Sequence, residues 1–219
     1  MIKNTLKYLR KFLLSNNREK NVAKYFYKII CKFHTRKKIY ILDFGSGFEP
    51  NVAILLKKKL INSGYEVFIN CYDFYTNIEL RKLNYSKNLK FNKLKDLEFD
   101  KKKYDFAIIS DVLHHIGVKK YSILKRVLKL LKCKSKFLLI KDHFEYSIFS
   151  RLILIFMDFI GNYYNNVKIP KSYFRKNKFN ELIKLVNLKI IAKIENKKYY
   201  SNKFLFFNNP NLQFIYLLK

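Results

Sequence analysis

The chain predicts an α/β fold, a mostly parallel sheet with helices on both faces, and three stretches carry that expectation. The first, Ile39-Tyr40-Ile41-Leu42, runs into Asp43-Phe44-Gly45-Ser46-Gly47, an acid followed by a tight Gly-x-Gly turn. The second, Val67-Phe68-Ile69-Asn70-Cys71-Tyr72, ends on Asp73. The third covers 104–110 and is followed by Asp111-Val112-Leu113-His114-His115-Ile116. Continuous apolar runs of this length suit strands covered on both faces. Their alternation with amphipathic stretches calls for right-handed crossovers. Doubly wound sheets bind ligands in the crevice outside the carboxyl ends of their strands. Acids and a glycine turn at those ends therefore describe a cleft for a nucleotide-type ligand.

The elements follow in order. Residues 1–35 read as basic helix, with Leu6, Leu9, Leu13, Val22, Tyr25, Ile29 and Ile30 near helical spacing. Strand one is 38–44. A helix over 50–63 places Val52, Leu55, Leu56 and Leu60 on one face and Lys57, Lys58 and Lys59 toward solvent, and Gly64 stops it. Strand two is 66–72, a short helix follows at 75–84, and strand three is 89–92. Strand four is 104–110 and strand five 136–141. Between them, 121–132 is an amphipathic helix with Leu124, Val127, Leu128 and Leu131 inward. Residues 144–166 are helix and then loop, 178–186 is helix, and 188–194 and 212–218 are strands. The last two lack a helix between them, so they predict a terminal hairpin with one strand antiparallel at or near the sheet edge.

Bulk properties bound the rest. A chain of 219 residues suffices for one α/β domain with a full core. Its 49% hydrophobic and 17% aromatic content argues against disorder. The formal charge of +30 favours an anionic partner, RNA or a membrane surface. Only seven of the 46 basic residues are Arg, however, and Lys, Asn, Ile, Phe and Tyr are all abundant, as A/T-rich codons would give. A chain built to fork phosphates would use more Arg. Cys31, Cys71 and Cys133 have no paired spacing and read as reduced core residues of a cytoplasmic protein. No metal-ligand spacing appears among Cys, His and Asp, so no metal is expected. Residues 1–14 are too interrupted by Lys and Arg for a signal core. The apolar run at 146–160 is broken by Arg151 and Asp158 and falls short of the ~20 residues a spanning helix needs.

The candidate site residues cluster at strand ends. Gly45 and Gly47 let the backbone turn and approach a ligand closely, with Asp43 before them and Ser46 between. Asp73, at the end of strand two, can accept both hydroxyls of a ribose. Ser110 and Asp111 border the same edge from strand four. Asp105 reads as an ordinary strand-start acid. His114 and His115 follow, and one of the two must point away from the cleft. Asp142 and His143, at the end of strand five, are candidates to touch substrate or accept a proton.

On these residues the chain resembles the class I S-adenosylmethionine-dependent methyltransferases over about residues 38–218. Asp43, Gly45 and Gly47 match the first motif, whose loop holds the methionine part of the cofactor, and Asp73 matches the acid that binds its ribose. Tyr104-Asp105-Phe106 and Asp111-Val112-Leu113-His114-His115 are similar to the fourth-strand motif and its loop. Lys141-Asp142-His143, Met157-Asp158-Phe159-Ile160-Gly161-Asn162 and Val167-Lys168-Ile169-Pro170 resemble blocks of one bacterial subgroup. Glu49 stands where a third glycine is common. The acid expected after strand three is missing, which leaves Asn92, Asp96 or backbone groups to meet the adenine.

The resemblance implies a Rossmann-like, mostly parallel seven-stranded sheet and S-adenosyl-L-methionine as cofactor. It implies Asp43, Gly45, Ser46, Gly47, Asp73, Phe74, Asn92, Ser110 and Asp111 as cofactor contacts, and His115, Asp142 and His143 as catalytic candidates. Residues 36–219 would form the methyltransferase domain behind a basic helical segment at 1–35, with 144–175 as a substrate lid. The activity implied is methylation of a small-molecule or lipid-linked acceptor, in the cytoplasm or at the inner face of a membrane. RNA methylation and a non-catalytic binding role are the alternatives. Methyl transfer from a sulfonium needs placement more than acid–base chemistry, so no fixed triad is expected.

Overall fold

Strand β1 (Lys38–Phe44) lies near the middle of a seven-stranded sheet in the computed structural model, which describes residues 17–47, 50–73, 88–162, 167–195, 197 and 209–219. Its neighbours β2 (Glu66–Asp73) and β4 (Tyr104–Ser110) are both parallel to it. Outside them, also in parallel, pair β3 (Leu89–Lys93) and β5 (Ser135–His143). The sheet closes with β6 (Ile190–Glu195) and β7 (Gln213–Leu218), in the order β3-β2-β1-β4-β5-β7-β6. β7 runs antiparallel between β5 and β6, one place in from the edge, as the hairpin reading expects. The strand order reverses between β1 and β4, which makes the space beyond their carboxyl ends the switch point of the sheet.

Helices cover both faces. On one, α1 (Asn17–Phe33), α2 (Asn51–Asn62) and α5 (Ile148–Asn162) pack against Ile39, Ile41, Ile69, Phe106, Ile108 and Leu139. On the other, α4 (Tyr121–Lys134) and α6 (Lys176–Leu185) pack against Leu42, Ala107, Ile109, Leu138 and Ile140. Alternate side chains along each strand feed these two cores, so both faces must be apolar and the strands read as continuous runs. A single turn, α3 (Leu113–Ile116), follows β4. Among the described residues no helix is long and apolar enough to cross a membrane.

Three expectations change. Strand five extends two residues beyond 141, because Lys141, Asp142 and His143 are buried against one another's partners instead of marking a solvated end. Lys57 is buried, not turned to solvent: burial lowers its ammonium pKa, and the nearby Cys71 opposes that. Cys133 is exposed, Cys31 half-buried, and only Cys71 belongs fully to the core. The helices expected over residues 1–16 and 75–84 lie outside the described residues. Asp105 acts as expected of a structural acid: it accepts the Tyr40 amide at 2.9 Å and pairs with Arg36 at 3.6 Å.

Candidate active site

The turn after β1 is built on two residues with left-handed backbone. Gly45 has φ +74° and its amide donates to the Tyr72 carbonyl at 2.8 Å. A Cβ there would stand 2.5 Å from a methyl of Val112, so only glycine lets the turn close under the loop from β4. Gly47, at φ +71°, has open space where a Cβ would project. Its amide donates to Asp73 Oδ2 at 2.7 Å, tying the turn to the end of β2. The Ser46 hydroxyl is buried and has no hydrogen-bond partner among the described residues. Asp43 lies beneath the turn, with Cys71 Sγ at 3.9 Å. Burial, and then the charge of Asp73, push its carboxyl up to about 7.

Beside the turn, Asp111 holds a left-handed φ of +57° and faces three basic groups. Lys141 Nζ donates to Oδ1 at 2.5 Å, His143 Nε2 lies 3.0 Å from the same oxygen, and Arg18 from the start of α1 pairs with Oδ2. The Ser110 hydroxyl also reaches Oδ2, at 3.5 Å. Burial, then Lys141 and His114, hold the His143 ring well below the ordinary imidazole range, so it is neutral. Its Nδ1 is buried without a hydrogen-bond partner among the described residues.

A second group of side chains lies next to this one. Asp142 is fully buried; its Oδ2 accepts the Leu113 amide at 3.1 Å, and its Oδ1 accepts the His143 amide at 2.7 Å and faces His114 Nδ1 at 2.5 Å. His114 Nε2 stands 3.3 Å from Asp158 Oδ2, an ion-pair distance without hydrogen-bond geometry. The Tyr173 hydroxyl donates to Asp158 Oδ2 at 2.5 Å. Burial would push the His114 ring down, but Asp142 and Asp158 outweigh it and hold its pKa at about 9. The His115 ring is tilted by 42° against the His114 ring with centroids 4.2 Å apart, and its Nδ1 lies 3.2 Å from the Lys168 carbonyl. Burial and the charge of His114 lower its pKa to about 4, so it is neutral near pH 7.

The segment 144–175 is anchored to this site from both ends. Glu145 takes Arg151 in two bonds, at 2.8 and 2.7 Å, and the Tyr173 amide at 3.0 Å. Phe144 and Phe174 form a parallel bridge. Leu154, Met157 and Ile160 turn α5 into the core, while Ile148, Phe149 and Leu152 are 63%, 75% and 56% exposed.

Of the residues singled out from sequence, Asp43, Gly45, Ser46, Gly47, Asp73, Ser110, Asp111, His115, Asp142 and His143 gather at the carboxyl ends of β1, β2, β4 and β5. Asn92 stands further out, on β3, with Nδ2 3.5 Å from the Cys71 carbonyl, and Asp96 is exposed. Phe74 lies outside the described residues. Sequence reasoning missed Arg18, the use of Lys141 against Asp111, and Tyr173. Asp158 carried a signal, a lone acid within an apolar helix. A cavity of about 550 Å³ near Arg36, Lys38, Lys103 and Lys136 opens at the amino ends of the strands, away from all of these groups.

No family model matches the sequence, and no curated protein matches it. Solved structures do match the fold. Magnesium protoporphyrin IX methyltransferase from Synechocystis PCC 6803, with bound SAH, superposes with a TM-score of 0.59 at 14% identity, over 92% of this chain and 83% of that one. A cyclopropane-fatty-acyl-phospholipid synthase-like protein from Lactobacillus casei ATCC 334 gives 0.59 at 8% identity, over 92% of both chains. A putative sarcosine dimethylglycine methyltransferase from Galdieria sulphuraria gives 0.58 at 14% identity, over 90% of this chain and 84% of that one. The chain therefore has the Rossmann-like fold of the class I methyltransferases. At such identities the likeness establishes architecture, and activity must be argued from the site.

Proposed function

We propose that this chain is an S-adenosylmethionine-dependent methyltransferase acting on a small-molecule or lipid-linked acceptor. The observation that carries the reading is the 2.7 Å bond from the Gly47 amide to Asp73, which sets a glycine turn and a strand-end carboxylate side by side at the switch point. Among the described residues the buried Ser46 hydroxyl has no hydrogen-bond partner and the space beside Gly47 is open, which suits a polar ligand lying across the turn. In this reading Asp43, Gly45, Ser46 and Gly47 take the methionine end. Asp73 takes the ribose, with Phe74 after it, Asn92 the adenine side, and Ser110 with Asp111 border the cleft from β4. The cofactor, when bound, supplies a methyl group already activated on a sulfonium. The residues of this chain then have to place the acceptor and keep water out.

Asp142 is a positioning residue, because both of its oxygens are committed to His114 and to backbone amides. His115 and His143 stay neutral and offer lone pairs on the acceptor side. The exposed apolar face of α5 supports an acceptor with an apolar portion: Ile148, Phe149 and Leu152 are on the outer side of the helix whose Asp158 reaches His114. Protein incubated with methyl-labelled S-adenosylmethionine and a cellular lipid extract is expected to move label into the organic phase. Replacing Phe149 and Leu152 by Ser lowers that transfer and leaves cofactor affinity unchanged. Label confined to RNA would overturn the acceptor class, and no transfer by protein that binds the cofactor would overturn the enzyme reading.

A further inference from the structure

We infer that His114, His115 and Asp158 form a binding site for a divalent transition-metal ion of the zinc class, at the acceptor end of the cleft. One ring nitrogen of each histidine and one oxygen of Asp158 all lie within 4.8 Å of one another. His114 Nε2 and Asp158 Oδ2 are 3.3 Å apart without hydrogen-bond geometry, and that nitrogen is buried with no hydrogen-bond partner among the described residues. Two ligand atoms on a tetrahedral ion with bonds of about 2.0–2.1 Å stand about 3.3–3.4 Å apart. The spacing is that of a coordination edge.

The outer partners fit equally well. A metal-bound histidine commonly gives its other ring nitrogen to a carboxylate or a backbone carbonyl, which fixes its tautomer and aims the free nitrogen at the ion. Here His114 Nδ1 faces Asp142 Oδ1 at 2.5 Å, and His115 Nδ1 faces the Lys168 carbonyl at 3.2 Å. Both rings thus direct Nε2 away from their outer partners. The Tyr173 hydroxyl donates to Asp158 Oδ2, the oxygen nearest His114 Nε2, and fixes the orientation of that carboxylate. Two carboxylates, Asp142 and Asp158, share His114 between them, and a dication that displaces the proton on its Nε2 keeps both charges met.

Two imidazoles and one carboxylate are a set used by zinc enzymes, and three protein ligands leave a coordination position open. His115 and Asp158 are only partly buried, so that position opens outward while His114 closes the interior side. An ion here would polarise an acceptor oxygen and ease loss of its proton. With the ion bound, His143 remains as the neutral imidazole beside it. This role rests on the methyltransferase reading, but the binding of the ion does not.

The test is titration of chelator-stripped full-length protein with Co2+, followed by displacement with Zn2+. One Co2+ per chain is expected, with the visible absorption of a tetrahedral or five-coordinate centre, lost when Zn2+ is added. His115→Gln and Asp158→Asn are expected to remove that spectrum, and Asp142→Asn to weaken affinity by about 10–100-fold through the outer partner. Should Asp158→Asn fail to fold, His115→Gln carries the test, because its ring is partly exposed. Absence of Co2+ binding, or a spectrum unchanged in His115→Gln, overturns the inference. Affinity for S-adenosylhomocysteine, measured on the same stripped protein, reports the methyltransferase reading separately.

Discussion

At the scale of single residues, the cleft keeps two carboxylates, Asp43 and Asp73, close under one glycine turn, and Asp43 is the buried one. Asp43 is 5% exposed and its carboxyl is raised to about 7, by burial first and by Asp73 second. Because the folded pKa lies above the unfolded one, the folded state holds a proton that the unfolded chain releases near pH 4. Its contribution to stability is complete below that pH and is lost as pH rises to about 7. Asp43→Asn removes this dependence. Between pH 5 and pH 8 the variant should gain about 2–3 kcal/mol relative to the parent chain, read from urea unfolding at the two pH values. Identical pH dependence in the two proteins would contradict the assignment. The glycine turn, Asp73 and Asp111 were legible in the sequence because each follows directly on an apolar strand. Arg18 was not, since it meets Asp111 across 93 residues and no local pattern announces the pairing. The grouping of Asp158 with His114 and His115 was hidden for the same reason.

At the scale of elements, the basic amino-terminal segment is less separable than its composition suggests. Helix α1 sets Val22, Ala23, Phe26, Ile29 and Ile30 into the same core as β1 and α2, and its first turn delivers Arg18 to the cleft. Phe26→Ala should therefore cost about 3–5 kcal/mol of folding stability in denaturant unfolding. A loss near zero would mean that α1 is a detachable arm. The parallel strands were read from sequence to within a residue or two, because burial on both faces forces continuous apolar runs. β5 was read short, because Lys141, Asp142 and His143 look like the polar end of a strand. They remain in the sheet because their charges are met inside it, by Asp111, His114 and the Leu113 amide. Lys57 was misplaced by a similar assumption, that a run of lysines on a helix must face water.

At the scale of the whole molecule, the charge of +30 does not single out a nucleic-acid partner. Each of the five arginines among the described residues, Arg18, Arg36, Arg126, Arg151 and Arg175, has a carboxylate within 4.0 Å. The described forked cations, the groups best suited to phosphate, thus each have an acidic neighbour, with Arg36, Arg126 and Arg175 paired at the surface, and the excess charge is lysine. Antiparallel β7 lies between β5 and β6, on the far side of β5 from the switch-point opening at the carboxyl ends of β1 and β4.

The central claim is that this opening holds S-adenosylmethionine, and calorimetric titration with S-adenosylmethionine and S-adenosylhomocysteine, with Asp73→Ala as control, tests it most directly. The account predicts binding with a Kd of about 1–100 μM, or roughly −8 to −5 kcal/mol, lost in Asp73→Ala while the variant stays folded. Absence of binding by folded parent protein, or equal affinity in Asp73→Ala, would contradict it.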